Sequence, residues 1–201
     1  MKKIFFLLFF VLCQQILFAQ RSASFVSPDR LFHEGKQMYD NRNYVGCIDK
    51  ILQYKKMAGD PVLIQEADFL LAASGFYQKK ENAGFELKYF LDKNPANIHR
   101  DEACFMIGST HYDKKDYQIA IYWFGQLELN NLSLSQQEDY AYRLGYSYLE
   151  TGSKNEAKRL FSLLRANSAG YRDAATYYLA YVYYSEGDYN QALPLFNALK
   201  D

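Results

Sequence analysis

The chain has 201 residues, enough for one ordinary domain or one short repeat array with a buried core. Apolar residues make up 49% and charged residues 23%, which excludes a disordered composition. Lys and Arg match Asp and Glu at 23 each, so no basic footprint for nucleic acid is present, while 19 Tyr and 15 Phe raise the aromatic share to 17%.

Residues 1–19 differ in kind from the rest. Lys2 and Lys3 precede the apolar run "IFFLLFFVLCQQILF", and Ala19 supplies a small residue before Gln20. This pattern predicts a secretory signal peptide cut after Ala19, followed by a short linker over 20–27. The strongly apolar part stops at Gln14-Gln15, short of the ~20 residues that span a bilayer, and a retained N-terminal anchor is the alternative. Lipoprotein processing at Cys13 is disfavoured, because Leu12 stands where a small residue is wanted. Cleavage removes two lysines and no acid, leaving a faintly acidic mature chain. The expected destination is therefore outside the cytoplasm, in the periplasm or at the outer membrane. Of the cysteines, Cys47 and Cys104 remain; both fall on apolar helix faces in non-adjacent units, too far apart for a disulfide and best read as buried thiols.

From residue 28 onward the chain repeats itself. A small residue recurs at Gly35, Ala72, Gly108, Gly145 and Ala180, at intervals of 37, 36, 37 and 35. A second small residue follows at Cys47, Ala83, Ala120, Ala157 and Ala192, and a large apolar one four places later at Ile51, Leu87, Phe124, Phe161 and Phe196. Apolar residues three and four apart mark one helix face, and the breaks at Asn43-Tyr44, Asp116-Tyr117, Gly152-Ser153 and Gly187-Asp188 fold each unit into a hairpin. The small residues let two helices approach while the large ones fill the space between them. A single hairpin cannot bury its apolar face, so neighbours must stack. Helix starts are expected at Ser27-Pro28 and Asp60-Pro61, where a cap precedes a first-turn proline. A capping box is expected over Ser135–Glu138. The predicted fold is all-α, a solenoid of about five hairpins over 28–60, 61–97, 98–133, 134–170 and 171–201.

These residues resemble the tetratricopeptide repeat family, whose unit carries small residues at its eighth and twentieth positions. The resemblance covers about residues 28–201, and "FLDKNPANIHRDEACFMIGSTHYDKKDYQIAIYWF" looks like exported bacterial members that serve envelope assembly. The units run one to three residues long, and Lys154 replaces the aromatic expected after the turn. The resemblance implies that the first helix of each hairpin faces a concave side that holds a peptide. Aromatic residues stand three before the first small residue and, except at Leu149, four after it, seven apart and so on one face. With Tyr146 and Tyr181 they give a candidate protein-binding groove of Phe32, Tyr39, Phe69, Phe76, Phe105, Tyr112, Tyr142, Tyr146, Tyr177, Tyr181 and Tyr184. Phenylalanine at these places equally suits a wedge between hairpins, whereas clustered tyrosine needs partners for its hydroxyls and favours a half-wet surface. The matching places offer aromatic and acidic side chains, unlike the Lys and Asn with which one subgroup of the family grips a terminal carboxylate. Asp29, Glu66, Glu102 and Asp139 recur at the helix starts, with Ala174 breaking the series, and compensation of the helix dipole accounts for them.

No catalytic constellation is legible. His33, His99 and His111 are scattered without a second ligand at metal spacing, and no phosphate loop, His-Glu-x-x-His or Cys-x-x-Cys occurs. Lys79-Lys80 and Lys114-Lys115 sit at hairpin turns as solvated ends. The expectation is a non-enzymatic scaffold with another protein or peptide segment as partner, and no cofactor, metal, nucleic acid or small-molecule substrate. The alternative is the N-terminal structural or oligomerising part of a longer protein. "LPLFNALKD" leaves Leu195, Phe196 and Leu199 on a face that expects a neighbour, through self-association or another covering.

Overall fold

A computed structural model describes residues 28–57 and 60–200. The expected signal peptide, the linker and the Ser27 cap lie outside the described residues. Ten α-helices follow one another in the described part: α1 (Pro28–Asp40), α2 (Tyr44–Lys56), α3 (Pro61–Tyr77), α4 (Ala83–Lys93), α5 (Arg100–Asp113), α6 (Tyr117–Phe124), α7 (Leu134–Glu150), α8 (Lys154–Asn167), α9 (Arg172–Ser185) and α10 (Tyr189–Asn197). A short 3-10 turn, Leu129–Asn131, separates α6 from α7.

Local chemistry sets the helix ends. Asp60 caps α3 through Val62 N–H at 2.8 Å, with Pro61 in the first turn. Asn43 caps α2 through Gly46 N–H, and Asp188 caps α10 through Gln191 N–H. The capping box of α7 lies two residues earlier than the sequence suggests. Ser133 is the cap and Gln136 reaches back to its N–H at 3.0 Å. Ser135 resembles a cap in sequence, but only Ser133 has the extended backbone that a cap requires.

Within each hairpin the small-to-large pairing is the packing contact. A Cβ on Gly108 would lie 2.7 Å from the Phe124 ring, and one on Gly35 would lie 2.7 Å from Ile51 Cδ1. Gly145 meets Phe161 in the same way at 3.2 Å. Ile51, Leu87, Phe124 and Phe161 are fully buried, and these four side chains form the spine of the core. Cys47 and Cys104 are buried and unpaired, and burial pushes both thiols up from their ordinary pKa.

Each helix packs on the next in chain order, and successive first helices (α1, α3, α5, α7, α9) also touch one another. The second helices (α2, α4, α6, α8, α10) make no comparable mutual contact. The first helices therefore line the inner side of a curved stack and the second helices splay along its outer side. Among the described residues no helix is long and apolar enough to cross a membrane.

Candidate functional site

The inner surface carries two stripes, one at the starts of the first helices and one at the hairpin turns. The first consists of acids that the sequence explained as dipole compensation. In the structure three of them bridge hairpins. His99 Nε2 lies 2.6 Å from Glu66 Oε2, and the imidazole stacks on Phe69 with centroids 3.9 Å apart and planes 2° apart. At the next junction Gln136 donates to Glu102 Oε1 at 3.1 Å. At the last, the Tyr171 hydroxyl donates to Asp139 Oδ1 at 2.9 Å while its ring lies 5.0 Å from that of Tyr142. His99, Gln136 and Tyr171 each stand nine residues before the small residue of their own hairpin. The same device thus locks three consecutive junctions. At the first junction Leu63 takes this place and Asp29 is exposed.

Neighbouring charges fix the latch. Lys36 Nζ approaches Glu66 at 3.6 Å, and His99 Nδ1 lies 3.7 Å from Glu102. Burial alone would lower the His99 pKa, but hydrogen bonds to Glu102 and Glu66 and their charges outweigh it and raise it from 6.5 to about 9. Glu66 is held below the ordinary carboxylate range, chiefly by the same histidine.

The second stripe is tyrosine. Tyr44 stacks on Tyr77 at 4.6 Å and 11°, with Tyr39 edge-on to both. Tyr112, Tyr117 and Tyr146 form a second triad with centroids 5.8–5.9 Å apart. Arg143 lies over Tyr112 at 5.0 Å while pairing with Asp113 and Asp139. Burial pushes the hydroxyls of Tyr77 and Tyr142 up to about 12, so both are protonated donors at neutral pH.

The expected groove residues fall into three groups. Phe32, Phe69 and Phe105 do not line a hollow; they are core, at 1–4% exposure, packed against Tyr54, Phe90 and Phe124 respectively. The reason is geometric: a ring three residues before the small residue packs onto the second helix of its own hairpin. Tyr39, Phe76, Tyr112, Tyr142 and Tyr146 are half-buried against the same core. Tyr177, Tyr181 and Tyr184 are about half exposed, on the last first helix. Sequence reading missed His99, Gln136 and Tyr171, together with Tyr44, Tyr77 and Tyr117 on the inner stripe. A hydrogen-bonding residue 32–34 places after each acid is the signal that could have found the latches.

Among the described residues no group of three His, Cys, Asp or Glu side chains is placed to hold a metal ion. His111 faces only Asp116, at 3.4 Å within its own turn. The arrangement offers ring faces, phenolic donors and fixed charges of both signs, which suit a polypeptide surface.

Neither a family model nor a curated protein matches the chain. Solved structures do. MamA AMB-1 matches with a TM-score of 0.68 at 15% identity, over 86% of this chain and 90% of that one. MamA MSR-1 gives 0.64 at 16% identity, over 87% and 95%. A Rap protein complexed with Competence and Sporulation Factor gives 0.55 at 16% identity, over 88% of this chain and 54% of that chain. At these identities the likeness shows the fold alone, an all-α solenoid of helical hairpins.

Proposed function

We propose that the protein is a non-catalytic scaffold that holds a segment of another protein along the inner side of its helical stack, in the bacterial cell envelope. One observation carries the binding role. The inner side chains are already fixed by their neighbours: the tyrosines by ring contacts, and Glu66, Glu102, Asp139 and Arg143 by bridges. A surface ordered before binding loses little side-chain entropy when a partner arrives. A Rap protein of similar fold is complexed with Competence and Sporulation Factor, which supports a binding reading. The partner contacts of the original groove reading shift accordingly, from the buried phenylalanines to Tyr77, Lys36, Tyr112 and Tyr146. The envelope assignment rests on Lys2, Lys3 and the apolar run that follows them.

The test is site-specific photo-cross-linking in cells, followed by fractionation. A photoreactive residue replacing Tyr77, on the inner side, is expected to capture a discrete protein from the envelope fraction. The same residue replacing Phe85, 69% exposed at the start of α4 on the outer side, is expected to capture none. Equal capture at both positions, or capture from Phe85 alone, would reject the inner-surface reading. Recovery of the protein in the cytoplasmic fraction would reject the envelope assignment.

A further inference from the structure

Several exposed tyrosines of the last hairpin occupy positions at which earlier hairpins carry rings that pack on their successor. Tyr177 corresponds to Tyr142, which is covered by Tyr171 and Tyr178 of the next hairpin. Tyr181 corresponds to Tyr146, covered by Tyr178 at 5.1 Å. Tyr189 corresponds to Tyr44, which stacks on Tyr77, and to Tyr117, which meets Tyr146 edge-on, each in the following hairpin. Tyr177, Tyr181, Tyr184, Tyr189 and Leu193 are exposed at 48%, 46%, 57%, 61% and 62%. The surface they make is thus a junction face, of the type formed four times within the molecule, with no successor among the described residues.

We propose that this face pairs with the same face of a second copy of the chain, about a two-fold axis, so that two stacks join end to end. Three observations select this occupant. The first is charge. Six residues before its small residue each earlier first helix carries an acid, whereas α9 carries Ala174 there. The face therefore lacks the carboxylate that bonds a latch at three of the four junctions, and that would confront its own image across a two-fold axis. The exposed charges nearby are Arg172, Asp173, Glu186, Asp188 and Lys200, at helix tips, and Glu186 is already paired with Lys158, which leaves two unpaired charges of each sign in this set.

The second observation is the opposite end of the stack. Arg143 and Tyr178 contact the preceding hairpin from equivalent places, where Leu70 and Met106 are buried. On α1 that place is His33, flanked by Arg30 and Gln37, all polar and exposed. Head-to-tail growth through these places would set polar side chains against tyrosine. The third is area. Four tyrosines and a leucine, each about half exposed, offer on the order of 400–500 Å² of side chain. That supplies the apolar centre of a standard interface of about 800 Å² per partner, with the flanking helix tips as rim. An isologous contact needs only one self-complementary patch, and it closes at two copies.

Sedimentation equilibrium of the protein, purified as it accumulates in the cell, provides the test. The wild type is expected as a concentration-dependent dimer. Tyr181→Lys and Tyr181→Glu, at an exposed position where folding is undisturbed, are each expected to weaken the dimer at least about tenfold with unchanged helicity. Mixing the two variants is expected to restore a dimer, because opposite charges meet only if the face pairs with itself. A variant at the other end, His33→Glu, is expected to leave the dimer intact. A monomeric wild type, an assembly that grows past two, a dimer sensitive to His33→Glu, or no rescue on mixing would each overturn the proposal.

Discussion

Seven residues after each first small residue, the backbone turns left-handed. Arg42, Lys79 and Lys115 have φ of 60°, 55° and 65°, and Gly152 and Gly187 take 83° and 80°. All five close their helix with the same pair of bonds, as in Lys115 N–H to Tyr112 C=O and Asp116 N–H to His111 C=O, both 2.9 Å. Glycine adopts this conformation freely, whereas a lysine with a Cβ is strained there. Lys115→Gly is therefore expected to raise stability by about 0.5–1 kcal/mol, net of the entropy glycine adds to the unfolded chain, measured as a shift in urea midpoint at constant slope. A lowered midpoint would mean that the lysine makes a contact worth more than the strain. His99 gives the second expectation at this scale. Its pKa is raised when folded, so its contribution is complete below pH 6.5 and disappears as pH climbs through about 9. Stability should thus fall across that interval, by on the order of 2 kcal/mol, and His99→Gln should flatten the profile. The pair with Glu66 is counted once, since the depressed carboxylate and the elevated imidazole describe one interaction.

At the level of helices, what could be read from sequence depends on how far apart the contacting residues are. Gly108 and Phe124 meet within one hairpin, sixteen residues apart, and the same spacing at Gly35–Ile51 and Gly145–Phe161 betrays the pairing. A junction works differently. The acid recurs, but its partner is histidine, then glutamine, then tyrosine, so no residue identity repeats even though the geometry does. Ring exposure was equally hidden: Phe69 is sealed by a histidine thirty residues away, while Tyr177 in the matching place has no such cover among the described residues. Amphipathic spacing identifies a face without saying what lands on it. Loss of one latch should be measurable. Tyr171→Phe keeps the ring against Tyr142 and removes only the hydroxyl that bonds Asp139, so it is expected to cost about 1–2 kcal/mol. Arg143 still pairs with Asp139 at 2.9 Å, which places the effect near the lower end. Hydrogen exchange would accelerate first in α9 if the bond holds that junction, and an unchanged midpoint would show the ring contact to be sufficient.

A stack in which each hairpin touches only its neighbours has a stability that varies along its axis. The central helices are clasped on both sides: eight residues of α5 are buried, from Asp101 to Ser109. The last helix is held on one side, and Ala192 is its single buried residue. Pro194 lies inside that helix and removes one backbone donor from an already short element. Local opening should therefore be cheapest at α10, with amide protection rising inward through α9 and α7 to a maximum in α5. The first hairpin should not mirror this behaviour, since α1 has a polar outer face and bridges to α2 and α3 through Lys50–Glu34 and Lys36–Glu66. Native-state hydrogen exchange at low protein concentration, where end-to-end pairing is absent, is expected to show that asymmetric gradient. Uniform protection from α1 to α10 would mean that the ten helices unfold as one cooperative block, and that the junctions couple hairpins more strongly than their ring and latch contacts imply.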